Sequence, residues 1–458
     1  MITAIGAFMV LAPLLSVLLE AGVLGPLRSR GKRSEPARGE DPARVEQEIA
    51  RRLYRQAGLD AGIRVRRRPE ARRRLKIAML APPWIPVPPP GYGGIEAVVD
   101  LLCKALLRRG HEVVLFAAPG SRSDATLLTP LEEAVPDQIG KDVYAADHVA
   151  RAFELIEAGA PDGRPFDVVH DHCGSTAVAM ADRLAVPVVH TLHGPLDEAD
   201  SGPFYARHGH KVLAVAISAA QAKRAPDSLR IAAVVPNPID VAAWPFVTEK
   251  DDYLLWVGRM TPGKGPHRAI DVARRAGAPL VLAGPVQPGQ EEYFREQVEP
   301  RLASVGIDYI GEVGGRRKAD LFAHARALLM PIRWPEPFGM VMVEALATGT
   351  PVLAFPEGAA PEIVADGVTG FLAADEAEMA TAVARHGEID PRRCRDEVER
   401  RYHPARVAAA YERIYRRAAA TPTRAARTRP GATRSTAARA AVERRPRAVA
   451  EEGGHAHR

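Results

Sequence analysis

A regular alternation of short apolar runs and amphipathic segments is the feature that most constrains the fold of this chain. It begins at Lys76, where a buried-strand run is followed by an amphipathic helix over 97–110 and a second apolar run. A strand, a helix and another strand in this order form a βαβ unit, which requires parallel strands. The alternation pauses at 249–252 and then restarts. The sequence therefore predicts two successive doubly wound α/β domains.

The same alternation sets the domain boundaries. Ligands of doubly wound sheets bind at the carboxyl ends of the strands. With two such sheets facing each other, the site is expected in the cleft between them. The predicted segments are a hydrophobic N-terminal segment (1–27), a basic linker (28–74), two Rossmann-like domains (75–245 and 246–398), a C-terminal cross-over helix (399–418) and a disordered basic tail (419–458).

The positive net charge of +6 comes from the two flanks of the chain. Residues 28–74 hold 16 basic and 7 acidic residues, and residues 416–458 hold 11 and 3. A basic flank can contact nucleic acid or anionic lipid. The alternative, which we favour, is a solvated arm without a specific partner. No specific nucleic-acid partner is therefore expected.

The run Ile2–Leu19 carries no charge and lies at the lower length limit for a membrane span. No basic region precedes it and no small-residue cleavage site follows it, so a cleaved signal peptide is not expected. It is either dispensable or a membrane anchor whose basic flank keeps the remaining chain in the cytoplasm. Three scattered cysteines suit a reducing cytosol. We expect a cytoplasmic protein, with contact to the cytoplasmic membrane face through residues 1–74 as the open alternative.

The most informative motif is EPFGMVMVE, in which Glu336 and Glu344 are eight residues apart. Pro337 favours a helix start there, and Gly339 lets a ligand approach the backbone closely. The N–H groups at such a helix start suit a diphosphate. Eight helical residues span roughly 12 Å, which approximates the reach from a hexose past a diphosphate to a ribose. One carboxylate is expected to bind sugar hydroxyls and the other ribose hydroxyls.

A second motif, GRMTPGKG, places Arg259 and Lys264 on one glycine-rich loop after a predicted strand. Two cations on one loop suit a leaving diphosphate, whose negative charge grows as the sugar bond breaks. The spacing does not fit the phosphate-binding loop of nucleoside triphosphatases. The motif therefore predicts diphosphate binding of another kind.

Other candidates lie where predicted strands end. Gly93 and Gly94, in a glycine loop after the first strand, permit close contact with a phosphate or sugar. His193 is the histidine best placed to bind hydroxyls or phosphates, whereas His170 and His190 are expected to pack inside the fold. No metal-ligand spacing appears, so no metal site is predicted. The remaining candidates for lining the cleft or binding an acceptor are His172, Ser218, Asn237, Gly358 and Glu362.

Residues 75–415 resemble the GT-B glycosyltransferases of the large retaining group called family 4. The resemblance rests on GYGGIE, HTLHG, VGRMTPGKG, EPFGMVMVEALATGTPVLA and APEIVADGVTGFL, in that order. It implies a GT-B architecture, with an acceptor-binding first domain and a sugar-nucleotide-binding second domain. It also implies a reaction that needs no metal or other cofactor. The proline-rich loop 82–90 departs from the family's shortest loops and leaves the acceptor open.

The resemblance implies a role for each matching residue. Arg259 and Lys264 would hold the diphosphate, and Glu344 the ribose. Glu336 would hold the sugar, and His193 and Gly94 would close on the donor from the first domain. The backbone that would bind phosphate and sugar belongs to Phe338, Gly339, Met340 and Val341.

A retaining hexosyltransferase is therefore the expected function, moving a hexose from a nucleoside diphosphate sugar to an acceptor hydroxyl. Two alternatives remain open: a sugar-nucleotide epimerase of the same fold, and a non-catalytic sugar-nucleotide-binding protein. The intact charged motifs disfavour the second, because unused buried charges are costly to keep. The base, the sugar, the acceptor (small molecule, lipid or glycan) and the oligomeric state are not predicted.

Overall fold

The computed structural model describes residues 73–91, 93–133, 141–196 and 200–420. The predicted hydrophobic segment, nearly all of the basic linker and nearly all of the basic tail lie outside these residues. Within the described ranges, no helix is both long and apolar enough to cross a membrane.

The first sheet has seven parallel strands in the order β3-β2-β1-β4-β5-β6-β7. The chain starts at the centre of the sheet, extends to one edge and then crosses back to build the other half. The strands are β1 Lys76–Leu80, β2 Glu112–Phe116, β3 Thr126–Leu128, β4 Val168–Asp171, β5 Val188–Leu192, β6 Leu213–Ala216 and β7 Ile231–Val234.

The second sheet has six parallel strands in the order β10-β9-β8-β11-β12-β13. It also starts at a central strand and reverses direction, as doubly wound sheets do. Two such sheets confirm the predicted α/β fold. The strands are β8 Leu254–Val257, β9 Leu280–Ala283, β10 Ile307–Tyr309, β11 Ala327–Met330, β12 Val352–Ala354 and β13 Gly370–Leu372.

Helices connect the parallel strands and cover both sheets. The longer ones are Gly94–Arg108, Asp142–Glu157, Pro266–Ala276, Gly315–His324, Met340–Ala347, Glu376–Val383, Pro391–Tyr402 and Pro404–Ala419. Ser201–His208 has eight residues, as do Met340–Ala347 and Glu376–Val383, and the shorter helices are Ser175–Met180, Ala219–Lys223, Glu291–Tyr293, Glu299–Leu302 and Ala360–Ile363, with a π-helical segment at Phe294–Val298.

The central strands are apolar along their whole length because both faces of the sheet are covered. All five residues of β1 are buried. One face of the first sheet packs against the helices Gly94–Arg108 and Pro404–Ala419, and the other against Asp142–Glu157 and Ser175–Met180. This double cover explains why the sequence shows continuous apolar runs rather than a period of two.

The end of the described chain differs from the single predicted cross-over helix. Two helices, Pro391–Tyr402 and Pro404–Ala419, are separated at His403, where Pro404 follows. A helix cannot continue easily through a residue that precedes proline. The second helix contributes Tyr411 and Tyr415 to the core of the first sheet. The C-terminal helix is therefore part of the first sheet's hydrophobic core.

The helix of the EPFGMVMVE motif begins at Met340, not at Pro337 as predicted. Gly339 precedes it with φ 85°, a left-handed conformation that favours glycine. Residues 335–338 therefore form a loop that leads into the helix. This loop places Glu336 outside the helix and Glu344 inside it.

Candidate active site

A cavity of about 470 Å³ lies between the carboxyl ends of the two sheets. The first sheet contributes Gly93, Gly94, His193 and Asn237 to its wall. The second contributes most of the charged side chains. From the predicted set, these second-sheet wall residues are Arg259, Lys264, Glu336, Phe338, Gly339, Met340, Val341 and Glu344.

Glu336 lies on the cavity wall beside two donors, one from the glycine-rich loop after β8 and one from its own loop. The ammonium group of Lys264 contacts its carboxylate, and the indole N–H of Trp334 donates to the same Oε2 atom over 3.1 Å. The Lys264 ammonium also lies 4.8 Å from the centre of the Trp334 ring. Cation and carboxylate therefore share one end of the cavity, fixed by an aromatic side chain.

Gly358 holds this loop in place from outside the cavity wall. Its φ is 55°, and a Cβ atom there would collide with the backbone of Glu336. The Ala359 N–H donates to the Glu336 carbonyl over 3.0 Å. Gly358 thus supports the position of Glu336 rather than contacting a ligand in the cavity.

Glu344 lies further along the cavity, in the helix that starts at Met340. Its Oε1 accepts a hydrogen bond of 2.8 Å from the Lys318 ammonium. Its Oε2 is buried and has no hydrogen-bond partner among the described residues. A buried carboxylate oxygen without a donor is costly, and Glu344 faces the cavity. This oxygen can therefore accept a hydrogen bond from a ligand hydroxyl.

Arg259 follows β8 and lines the same cavity as the two carboxylates. Its Nη1 donates to the side chain of Gln287 over 3.1 Å. This neutral partner leaves the positive charge of Arg259 uncompensated by that contact. Arg259 and Lys264 together give this wall two cations, as the sequence predicted for a diphosphate site.

His193 reaches the cavity from the end of β5. Its Nε2 lies 2.8 Å from Nδ1 of His172, which follows β4 and is itself buried. Burial lowers the pKa of His193 to about 3, and nearby His190 adds to this. His193 is therefore neutral at physiological pH. His172 does not line the cavity but contacts the residue that does.

Two other candidates lie outside the cavity wall. Glu362 of the second domain accepts hydrogen bonds from the backbone N–H groups of Ala219 and Ala220, over 2.9 and 2.6 Å. Ser218 caps the same short helix by accepting from the N–H of Gln221 over 3.0 Å. Both residues are used in structural contacts, so the structure does not place them against the cavity.

Sequence reasoning missed several residues of the wall. Lys318 lies on a helix that seemed an ordinary amphipathic element, and Trp334 lies two residues before Glu336, the first residue of the recognised motif. Glu96 lies outside this wall, in the first turn of the helix after the glycine loop, and burial raises its pKa to about 7. Position alone could have indicated Trp334, whereas the pairing of Lys318 with Glu344 depends on tertiary packing. Gly284, Pro285, Glu312 and Val313 complete this part of the wall.

The described residues contain no group of three or more histidine, cysteine, aspartate or glutamate side chains suited to a metal ion. The expectation of a reaction without a metal stays a prediction. His170 and His190 are buried, as expected.

Two protein families match this chain in adjacent segments. Glycosyltransferase Family 4 matches residues 92–243, and Glycosyl transferases group 1 matches residues 243–395. The two matches meet in the connection between β7 and β8. Together they cover about two thirds of the chain.

Similar proteins of known activity include two bacterial enzymes. The chain is 29% identical over 350 residues to glycogen synthase of Mycobacterium tuberculosis, covering 65% of this chain and 83% of the relative. It is 29% identical over 439 residues to D-inositol 3-phosphate glycosyltransferase of Streptomyces avermitilis, covering 77% and 91%. Among solved structures, AviGT4, a glycosyltransferase involved in avilamycin A biosynthesis, has a TM-score of 0.57 at 29% identity, covering 76% of this chain and 98% of AviGT4.

Proposed function

Because the chain belongs to the GT-B glycosyltransferases of group 1, we propose that it moves a hexose from a nucleoside diphosphate sugar to an acceptor hydroxyl and retains the anomeric configuration. Glycosyl transfer is the activity of the family. The hexose, the donor and retention are our proposal. The observation that carries it is the alignment of Glu336, Lys264, Arg259 and Glu344 along one cavity.

The two carboxylates would set the orientation of the sugar nucleotide in the cavity. Glu344 offers an unpartnered, buried oxygen suited to ribose hydroxyls. Glu336 precedes the helix and lies where the sugar would follow the diphosphate. Carboxylates bind hydroxyl donors through charge-assisted hydrogen bonds. The nucleoside would then occupy the Lys318 end, and the hexose the Lys264 end.

The diphosphate would lie between these two ends. Arg259 and Lys264 supply positive charge, and the backbone N–H groups at the start of the helix Met340–Ala347 supply donors. Lys264 contacts Glu336. A bound diphosphate would compete for this ammonium, so that Glu336 becomes free to bind sugar hydroxyls.

The anomeric configuration would be retained because the acceptor hydroxyl attacks the anomeric carbon from the same face that the leaving diphosphate occupied. The bond between the anomeric carbon and the diphosphate oxygen breaks, and a bond from the acceptor oxygen to the same carbon forms. The acceptor proton passes to the departing phosphate oxygen. The leaving group keeps the bonding electrons, and the two cations stabilise its charge. Positioning and electrostatics, rather than a covalent intermediate with the enzyme, would supply the rate enhancement.

We further propose that the reaction needs no metal ion or other cofactor. The lysine and arginine beside the cavity would provide the positive charge that a divalent ion supplies in other transferases. An unchanged rate after exhaustive chelation is expected. A rate that falls with chelation and returns with magnesium or manganese would contradict this part of the proposal.

A panel of uridine, guanosine and adenosine diphosphate sugars tests the function. The matching donor should raise the melting temperature, since a ligand that binds only the folded state stabilises it. Glu344→Gln should reduce that increase, whereas Glu357→Gln, a nearby carboxylate that pairs with Arg333, should not. Products formed with candidate acceptors are then identified by NMR.

Four outcomes separate the alternatives. A glycoside with the donor's anomeric configuration supports the proposal, and an inverted linkage contradicts retention. A changed sugar nucleotide in the absence of acceptor indicates an epimerase. Donor binding without any turnover across acceptor classes indicates a non-catalytic binding protein. A cytoplasmic location and membrane contact through residues 1–74 stay predictions.

A further inference from the structure

The histidine on the cavity wall is paired with a second, buried histidine that does not line the cavity. His193 and His172 follow β5 and β4, which are neighbouring parallel strands, so both lie at the same edge of the sheet. Nε2 of His193 and Nδ1 of His172 are 2.8 Å apart. Because Nε2 of His193 already pairs with His172, only Nδ1 of His193 is left to form a hydrogen bond with a ligand in the cavity.

His172 is held firmly by its surroundings. Its ring lies against that of His170, with 4.2 Å between centres. His170 is fixed on both nitrogens, at 2.7 Å by the Tyr415 hydroxyl and at 2.8 Å by Thr191 Oγ1. Tyr415 belongs to the C-terminal helix. The orientation of His172 is therefore set by packing that extends from this helix to the cavity.

Both members of the pair are neutral. Burial lowers the pKa of His172 well below its usual range, and the neighbouring histidines lower it further. The pKa of His193 is about 3, chiefly for the same reason. A neutral imidazole carries its proton on one nitrogen only. One ring must then donate and the other accept, which leaves two arrangements of the pair.

The unused nitrogen of His172 distinguishes these arrangements. Nε2 of His172 is buried and has no hydrogen-bond partner among the described residues. If His193 donated, this buried Nε2 would carry an N–H without an acceptor, and unpaired buried N–H groups are rare. If His172 donates from Nδ1, Nε2 keeps only a lone pair. His148 shows the same pattern, since its Nε2 donates to the Ala81 carbonyl over 3.0 Å and its Nδ1 has no partner.

We propose that His172 is a positioning residue that donates its Nδ1–H to Nε2 of His193 and holds His193 as the Nδ1–H tautomer. His193 then presents a hydrogen-bond donor, not an acceptor, to the cavity. A donor suits the phosphate and hydroxyl oxygens of a nucleotide sugar. The role of this donor in binding a nucleotide sugar rests on the proposed function, whereas the tautomer of His193 does not depend on it.

NMR of the full chain, labelled with ¹⁵N-histidine, tests the tautomer without any substrate. Two-bond ¹H–¹⁵N correlations distinguish Nδ1–H from Nε2–H imidazoles, and His193→Asn assigns the signal that disappears. His148 provides an internal Nε2–H reference. His190 provides an Nδ1–H reference, because its Nδ1 lies 2.6 Å from the Asp171 carboxylate. The Nδ1–H pattern is expected for His193, and an Nε2–H pattern overturns the proposal.

Two variants of His172 separate positioning from packing. His172→Phe keeps an aromatic ring without a donor, whereas His172→Asn places an amide N–H near the position of Nδ1–H. We expect His172→Phe to convert His193 partly to the Nε2–H form and to lower kcat about tenfold, the value of one hydrogen bond. His172→Asn should restore the tautomer and most of kcat, with the donor KM little changed.

Equal losses of kcat in both folded variants, with the His193 tautomer unchanged, would show that His172 serves packing alone. If His172→Phe does not fold, the tautomer of the unaltered protein still decides the proposal. If no donor sugar supports turnover, the proposed function fails while the NMR result stands. The two failures are therefore distinguishable.

Discussion

The two walls of the cavity differ sharply in charge. The wall from the second sheet carries Arg259, Lys264, Glu336 and Glu344. The wall from the first sheet carries glycines, Asn237 and a histidine whose low pKa keeps it neutral. Both walls are built at the carboxyl ends of parallel strands, so the fold alone does not cause the difference.

The difference indicates a division of labour. Charged groups bind a charged donor strongly and respond to charge that develops during reaction. Uncharged groups can orient a neutral hydroxyl without a large desolvation penalty. We expect the second-sheet wall to set donor affinity and turnover. The first-sheet wall should contribute smaller, geometric effects.

Removing the cation nearest the proposed sugar end should have the largest effect. Lys264→Ala is expected to lower kcat by about 10²–10³-fold, the loss seen when one preorganised group that stabilises developing negative charge is removed. The donor dissociation constant should change less, because the leaving-group charge grows mainly in the transition state. Steady-state kinetics and calorimetry measure the two quantities.

Arg275→Ala is the matched control, because this exposed cation lies on the helix that follows the same loop. It should leave both constants unchanged. A Lys264→Ala enzyme with an unchanged kcat and a raised KM would assign Lys264 to ground-state binding only.

Replacing the carboxylate at the same end should have the next largest effect. Glu336→Gln keeps the shape but removes the charge that binds the sugar hydroxyls and contacts Lys264. We expect kcat to fall about 10–100-fold, as for one charged hydrogen bond of about 1.5–3 kcal/mol. Nucleotide affinity should change little. If calorimetry shows that nucleoside diphosphate binding is lost instead, the sugar end has been assigned wrongly.

Replacing the second carboxylate should change affinity rather than turnover. Glu344→Gln is expected to weaken donor binding about tenfold or somewhat more, because ribose contacts are equal in the ground and transition states. Calorimetry should show this loss with a nucleoside diphosphate and not with inorganic pyrophosphate, which lacks the ribose. Equal losses for both ligands would place Glu344 near the phosphates.

The fold was predictable because its signals are local and repeated. Continuous apolar runs such as β1 mark strands that are covered on both faces, and the intervening helices have clear amphipathic periods. The weakest predictions concern helix ends. Pro337 suggested that the helix of this motif starts there, but the helix starts at Met340, after Gly339. The left-handed conformation of Gly339 depends on its packing against neighbouring residues, which the sequence does not show.

The site was predictable where short local motifs carry it. Glu336 and Glu344 belong to one segment, so their shared cavity followed from their spacing. The contact of Lys318 with Glu344 joins two helices, and that of His172 with His193 joins two strand ends. Glu362 looked like a cleft residue but binds backbone N–H groups of the other domain. Such pairings depend on tertiary structure that no local pattern contains.

The smallest effect on turnover should come from the carboxyl group nearest the first-sheet wall. Glu96 is buried at the start of the helix after the glycine loop, and desolvation raises its pKa to about 7 from 4.5, partly offset by a backbone hydrogen bond. Between these two pH values the folded protein binds more protons than the unfolded chain does. The free energy of unfolding should therefore fall as pH rises from about 4.5 to 7, and level off above 7.

Glu96→Gln tests this prediction, because glutamine imitates the neutral acid and cannot ionise. The variant should resemble the unaltered protein in melting temperature near pH 5 and become relatively more stable towards pH 8. Its kcat at pH 6 should change less than that of any of the second-wall variants above, because Glu96 is then mainly neutral in the unaltered enzyme. A melting-temperature difference that does not vary with pH would show that Glu96 is already ionised. A charge would then lie beside Gly93 of the first wall, and the contrast between the two walls would be smaller than the structure indicates.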